Sequence, residues 1–270
     1  MRATCLQWFF VFTLLAGCAS PSTKFLETAE KYGFSTHLQQ GKPYLHRVFL
    51  NLAAQQAMIY EELHVYLDGD GTPFETANFP AQDPTARNPL ILDLLFQDKT
   101  PAILLGRPCY YGLQFSTNCS PELWTTQRYS REVVESLVFS LRQFLKKRSA
   151  TNLTFIGYSG GGALVIFLAS YFPQTGSIVT IAGNLDTQAW CDFHDYLPLQ
   201  ESLNPTKQAK IPVEIKQFHF AGLADENVPA KMIERFSLHQ KNSRYIPLEN
   251  FTHECCWAER WGDLLRQIRK

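Results

Sequence analysis

Short apolar blocks alternate with amphipathic stretches along most of the chain. Leu63 to Leu67, Ala102 to Leu105, Leu153 to Ile156 and Ser177 to Ala182 are compact and bounded by turn residues. Blocks of this length predict strands in a buried sheet. Glu214 to Phe220 and Arg244 to Leu248 also read as strands. Between Arg128 and Arg148, Val133, Val134, Leu137, Val138, Leu141, Phe144 and Leu145 recur at helical spacing. Ser130 stands at the N-cap of that helix, and Lys146, Lys147 and Arg148 complement its C-terminal dipole. Ala163 to Phe172 predicts a buried helix, Lys231 to Leu238 another, and Trp257 to Ile268 a final amphipathic one. Upstream, Phe34 to Gln40 and Pro43 to Leu50 read as a hairpin turning at Gly41, after a short tether from Ser20 to Lys24. Asn78 to Asn88 reads as a surface loop. Strands alternating with helices imply βαβ units: an α/β protein with a mostly parallel central sheet and helices on both faces. The pattern contains no internal repeat.

Composition narrows the function classes. The 270 residues are 45% apolar and 19% charged, which excludes disordered, collagenous and coiled-coil chains. Lys and Arg together number 25, as do Asp and Glu. A net charge of zero argues against a nucleic-acid partner.

The N-terminus reads as an address. Arg2 precedes the apolar run Leu6 to Leu15, which is too short to span a bilayer. The run ends in Leu15-Ala16-Gly17-Cys18, small residues of the kind that mark signal-peptide cleavage. This segment resembles the lipobox of bacterial lipoproteins, which implies that Cys18 is lipidated and becomes the mature N-terminus. Residues 1–17 are then a signal peptide, 18–43 a lipidated tether and hairpin region, and 44–270 the folded domain. Ala19 after the Cys favours the outer membrane, facing the periplasm. Export permits disulfides. Cys109 and Cys119 flank one loop and form the first candidate pair; Cys191 with Cys255 or Cys256 forms the second. The odd count leaves one thiol free, and no C-x-x-C pair suggests zinc.

The sharpest chemical signal is Gly157-Tyr158-Ser159-Gly160-Gly161, between a predicted strand and a predicted helix. A serine projected from such a turn needs glycines around it for steric room, and the helix N-terminus offers free N–H groups to an anion. No Lys-Ser/Thr follows these glycines, so a phosphate-binding loop fails.

From the Leu63 strand to the C-terminus the chain resembles the α/β-hydrolase superfamily. The resemblance implies a nucleophile, an acid and a histidine in that chain order. Ser159 is the nucleophile. His253 follows the last strand and is the base; His194, His219 and His239 lie in unsuitable places. Asp225, in Gly222-Leu223-Ala224-Asp225-Glu226-Asn227-Val228-Pro229, matches the family's acid loop, with Asp186 as the alternative. The oxyanion hole falls to the N–H groups of Gly160 and Asp70, with Gly71 as neighbour if the register slips. Where family members often carry His-Gly, this chain has Asp68-Gly69-Asp70-Gly71. Those carboxylates must turn away or pair, and Arg107 is the candidate partner. Residues 184–212, with Trp190, Phe193, Tyr196 and Leu197, correspond to a small cap. A Cys191 bond to Cys255 or Cys256 would tie that cap to the His253 loop. The implied function is a lipid-anchored serine esterase that acts on a small-molecule or lipid acyl substrate without cofactor or metal. The alternative is an envelope lipoprotein that uses the same fold only for binding.

Overall fold

The computed structural model describes residues 19–207 and 211–268. The expected signal peptide (residues 1–17) and Cys18 lie outside them, as do residues 208–210. The described chain opens with α1 (Pro21–Lys31), then β1 (Ser35–Gln40), β2 (Leu45–Leu50), the short α2 (Leu52–Gln55) and β3 (Ile59–Leu67). A two-stranded flap, β4 (Phe74–Thr76) and β5 (Phe79–Pro80), precedes α3 (Leu90–Gln97) and β6 (Ala102–Leu105). The order continues through α4 (Arg131–Lys147), β7 (Ser149–Tyr158), α5 (Gly160–Ala169), β8 (Thr175–Ile181) and α6 (Thr187–Phe193). It ends with β9 (Lys216–Gly222), α7 (Ala230–Leu238), β10 (Ser243–Leu248) and α8 (Trp257–Ile268).

The main sheet has eight strands in the order β1-β2-β6-β3-β7-β8-β9-β10. Strand β2 runs antiparallel to both neighbours; β6 to β10 pair in parallel, as the strand–helix alternation predicts. Helices flank it: α3 and α8 pack together, as do α4 and α5. Helix α5 is buried along its whole length, so its sequence is apolar all round. Helix α4 begins at Ser130, whose hydroxyl accepts from the Val133 N–H at 3.2 Å. Helix α6 and the segment after it form a small cap inserted between β8 and β9.

The N-terminal segment departs from the sequence expectation. Ser20 to Lys24 is no tether: Ser20 caps α1, and Phe25 is buried against Phe49 and Tyr111 at ring separations of 5.5 and 4.5 Å. The hairpin β1–β2 is the edge of the main sheet, so the packed domain begins well before residue 44. Helix α3 was also missed, because Leu90 to Leu95 is nearly continuous in apolar residues and has no helical stripe. Among the cysteines, Cys109–Cys119 is bonded as expected. The second pair is not: Cys191 is free and buried, and Cys255 bonds its neighbour Cys256. No cystine therefore joins the cap to the His253 loop.

A buried polar knot locks α3 to the sheet. Asp98, at the end of α3, accepts from the Tyr66 hydroxyl at 2.7 Å, and its other oxygen accepts from the Thr100 N–H at 2.9 Å. His64 Nδ1 lies 2.5 Å from the same Asp98 oxygen as Tyr66, and Trp261 of α8 donates to Tyr66 at 3.0 Å. Burial disfavours the charged imidazole, but its bonds to Asp98 and Glu62 outweigh that and raise His64 to about 9. A base whose folded pKa exceeds its unfolded value stabilises fully below the unfolded value, here 6.5. That stabilisation fades as pH rises through about 9. We expect the urea midpoint to fall between these pH values in the parent, and the fall to be largely lost in His64→Gln, a difference on the order of 1–3 kcal/mol. Urea titrations across the range check it. Replacing Cys109 and Cys119 with Ser should cost about 3 kcal/mol by the loop-entropy relation, read as a lowered thermal midpoint.

Candidate active site

The carboxyl ends of the parallel strands bring the segments of the candidate site together. Asp68 to Gly71 follow β3, Ser159 follows β7, Asn184 follows β8, Asp225 follows β9 and His253 follows β10. In open α/β sheets this end is where ligands bind.

Ser159 sits between β7 and α5 at φ 51° and ψ −120°, a backbone conformation that costs a non-glycine residue energy. Three backbone hydrogen bonds hold it there, one of them from the Gly162 N–H to its carbonyl at 2.9 Å. Its N–H donates to Ile181 O at 2.9 Å, and its carbonyl accepts from the Asn184 N–H at 2.9 Å. The glycines answer a packing demand. A Cβ on Gly157 would overlap the Gly161 carbonyl, and one on Gly161 would overlap Leu67 O. The strand, the turn and the helix therefore approach at backbone contact.

His253 Nε2 lies 3.0 Å from Ser159 Oγ, and its Nδ1 lies 2.9 Å from Asp225 Oδ2. The other carboxylate oxygen, Oδ1, accepts from the N–H groups of Asn227 and Val228, both at 2.8 Å. Asp225 is thus held from two sides and buried. Three residues distant in sequence stand in one hydrogen-bonded row. Tyr158 braces it: its hydroxyl donates to His253 O at 3.1 Å, and its ring lies 5.3 Å from the imidazole. Asp186, the alternative acid, caps α6 instead and accepts from the Ala189 N–H at 3.2 Å.

The Asp68–Gly71 loop lies against the same turn. A Cβ on Gly69 would come 3.2 Å from Ser159 Cβ, and one on Gly160 would overlap Asp70 Oδ1. Asp70 is fully engaged. Its Oδ1 accepts from Arg107 Nη1 at 2.6 Å; its Oδ2 accepts from Arg128 Nη1 at 2.9 Å and from the Tyr129 hydroxyl at 2.6 Å. Burial opposes ionisation there, but the Arg128 and Arg107 charges outweigh it and bring the carboxyl down to about 2. Asp68 behaves oppositely. Burial raises it to about 6, although it accepts from the Gly69 N–H at 2.8 Å and from the Tyr111 hydroxyl at 3.1 Å.

The loop backbone is fixed as tightly as its side chains. Arg107 also donates to Gly69 O at 3.0 Å, and Tyr110 donates to Asp70 O at 3.0 Å. In a trans peptide the carbonyl and the following N–H point opposite ways. The Asp70 N–H therefore faces away from Arg107. The Gly69 N–H is already occupied by Asp68.

A cavity of about 710 Å³ opens above Ser159 and His253. Phe74 of the flap, Leu90, and Trp190, Tyr196, Leu197 and Leu199 of the cap give it apolar walls, with Thr125, Arg128, Asn184 and Asn227 as polar points. The cap docks on the acid loop through Trp190 Nε1, which donates to Asn227 O at 3.0 Å, and through His194 Nε2, 2.7 Å from the same oxygen. Sequence reading missed Arg128, Tyr129, Asn184 and Tyr158. Arg128 was absorbed into the following helix, and nothing local marks it as a partner of a residue 58 positions away. The one available signal was the need to neutralise Asp70, which pointed only to Arg107.

Asp70→Asn would leave two buried guanidiniums without their counter-charge. Removing one partner of a buried ion pair costs about 3–5 kcal/mol. We expect a thermal midpoint lowered accordingly, and a smaller loss in Asp68→Asn, whose carboxyl binds no cation directly; calorimetry of both variants checks the order.

No protein-family model matches the sequence. No curated protein matches it either. Solved structures do. Est1E from Butyrivibrio proteoclasticus, determined with ferulic acid bound, is 12% identical, with a TM-score of 0.64 over 87% of this chain and 100% of its own. A membrane phospholipase A described as a bacterial virulence factor is 14% identical, with a TM-score of 0.57 over 93% of both chains. A serine hydrolase without a lid, from Xanthomonas campestris, is 11% identical, with a TM-score of 0.54 over 87% of this chain and 94% of its own. At these identities the likeness is one of architecture. With its strand order, its mostly parallel sheet and its inserted cap, the chain has the α/β-hydrolase fold.

Proposed function

We propose that the protein is a serine hydrolase that cleaves carboxylic esters through an acyl-enzyme. The observation that carries this reading is the hydrogen-bonded row Asp225–His253–Ser159 at the floor of a largely apolar cavity. Hydrolases acting on acyl bonds among the structural neighbours support the reaction class.

In the first half-reaction His253 Nε2 takes the Ser159 proton as Oγ bonds to the ester carbonyl carbon. Asp225 keeps the imidazole in the tautomer that presents a bare Nε2 and stabilises the imidazolium. The carbonyl π electrons move to oxygen, and that oxyanion is met by the N–H groups of Gly160 and Asp70. Collapse breaks the bond to the alkoxy oxygen, which takes the proton from His253 and leaves as alcohol. Water then gives its proton to His253 and its oxygen to the acyl carbon, and Ser159 leaves with the proton restored. The products are one acid and one alcohol per water consumed. No cofactor or metal enters this chemistry.

The Asp70 carboxylate does not undermine the oxyanion hole, because two guanidiniums outnumber it at the site. In this reading Cys18 carries the lipid anchor, which holds the enzyme on the bacterial envelope, at the outer membrane facing the periplasm. A fluorophosphonate probe should label the parent, and Ser159→Ala should abolish labelling. His253→Ala should lower kcat/KM on a short-chain ester by about 10³-fold or more. A well-folded parent that takes no label would overturn the proposal.

A further inference from the structure

Three features around the cavity point to where its substrate comes from. The first is the rim. Phe74 on the flap and Tyr196 and Leu197 on the cap line the cavity and are also exposed. Phe79, paired with Thr76 on the second strand of the flap, is 69% exposed; Phe193, on the same short helix as Trp190, is 54% exposed. Large apolar side chains therefore project from both sides of the mouth. Exposed apolar side chains gathered on the flap and the cap around one cavity mark an interaction site.

The second feature is where the described chain starts. Ala19 is exposed, and Ser20 caps α1. Ser22 then fastens α1 to the loop behind the flap. Its N–H donates to Asp83 Oδ2 at 2.8 Å, its hydroxyl donates to Asp83 Oδ1 at 2.8 Å, and the hydroxyl lies 2.9 Å from Thr85 Oγ1. That loop forms the base of the flap: Ala81 N–H donates to Pro73 O at 2.9 Å, and Thr72 N–H to Pro84 O at 2.9 Å. Cys18 precedes Ser22 by four residues, at most about 14 Å of extended chain. If Cys18 is lipidated, the anchor is within that reach of the Ser22–Asp83 contact behind the flap.

The third feature is charge. Asp192, Asp195 and Glu254 lie beside the rim, and Glu75 is paired with Arg87. These acidic groups offer no attraction to anionic headgroups, so a surface that docks here is held by apolar contact.

Resting on the esterase reading and on lipidation of Cys18, we infer that the cavity mouth faces the bilayer to which the anchor is attached. Its substrate is the acyl ester of a membrane lipid, drawn directly from that bilayer between the flap and the cap. The step is the one given above: water cleaves the lipid's ester, releasing a fatty acid and the deacylated lipid. The short tether sets orientation as well as proximity, since a lipid anchor on Cys18 and an apolar rim engage the same surface together.

The test uses the full lipidated protein in vesicles of phosphatidylethanolamine and phosphatidylcholine. Phe79→Ser with Phe193→Ser alters the rim and no residue of the cavity wall. Fatty-acid release from vesicle lipid should fall about tenfold in this variant, while hydrolysis of a water-soluble butyrate ester stays within about twofold. Trp190 reports position, because Trp124, Trp257 and Trp261 are buried. In Ser159→Ala protein, bromine-labelled phosphatidylcholine should quench Trp190 fluorescence, and the quenching should persist in high salt. Vesicle-bound protein that shows no quenching, or a rim variant that cleaves vesicle lipid as fast as the parent, would overturn the inference. So would a parent that cleaves the soluble ester in a Ser159-dependent way but leaves vesicle lipid intact; the esterase reading would then stand without it. A parent that cleaves neither and takes no fluorophosphonate label would remove both.

Discussion

A largely buried carboxylate lies beside the turn that carries Ser159, and the architecture of the site follows from how its charge is balanced. Asp70 Oδ1 occupies the space where any side chain on Gly160 would begin. An unpaired charge there would be too costly to bury. Arg107 after β6 and the Arg128–Tyr129 pair ahead of α4 converge on it from separate parts of the chain. The same contacts fix the loop backbone, since Arg107 and Tyr110 also hold the carbonyls of Gly69 and Asp70. One cluster therefore sets both the electrostatics and the direction of the N–H groups near Ser159. In the proposed reaction that arrangement supplies a prepaid oxyanion site: the donors are oriented before substrate arrives.

The other half of the site is braced by a different device. Asp225 is positioned by two backbone N–H groups of its own loop, and Asn227 of that loop receives the cap through Trp190 and His194. The cap is thus coupled to the acid loop and not, as a Cys191 bond to Cys255 or Cys256 would have had it, to the histidine loop. Tyr158, the middle residue of the glycine-rich motif, reaches across to the His253 carbonyl. Serine, acid and histidine segments are each held by contacts that also touch another of the three. The flap and α1 form a further connected unit, joined through Ser22 and the loop behind the flap.

Much of this was legible in the sequence, because the signals were local. Buried strands appear as short apolar blocks, and α4 appears as a stripe with its cap and its basic C-terminus. The need for glycine around Ser159 is a steric fact of one turn, so the motif and its strand–helix flanks sit together in the chain. Asp225 and His253 were reached through the chain order of a resembling superfamily, and the structure brings both within 3.0 Å of their expected neighbours. Local reasoning also failed locally: α3 carries no amphipathic stripe, and α1 was read as tether because its buried contacts, Phe49, Asp83 and Tyr111, lie far downstream.

The sequence by itself determined the α/β class and the glycine-rich turn between β7 and α5, since both rest on periodicity or steric demand within a few residues. Only the tertiary structure decided which cations neutralise Asp70, which cysteines pair and which stays free, where the cap docks, and that α1 packs on the loop behind the flap. The physical reason is a shared one. Apart from the cystines, these are meetings of side chains separated by tens of residues, and it is the packing of the sheet against its helices, not any local preference, that brings them within hydrogen-bonding distance.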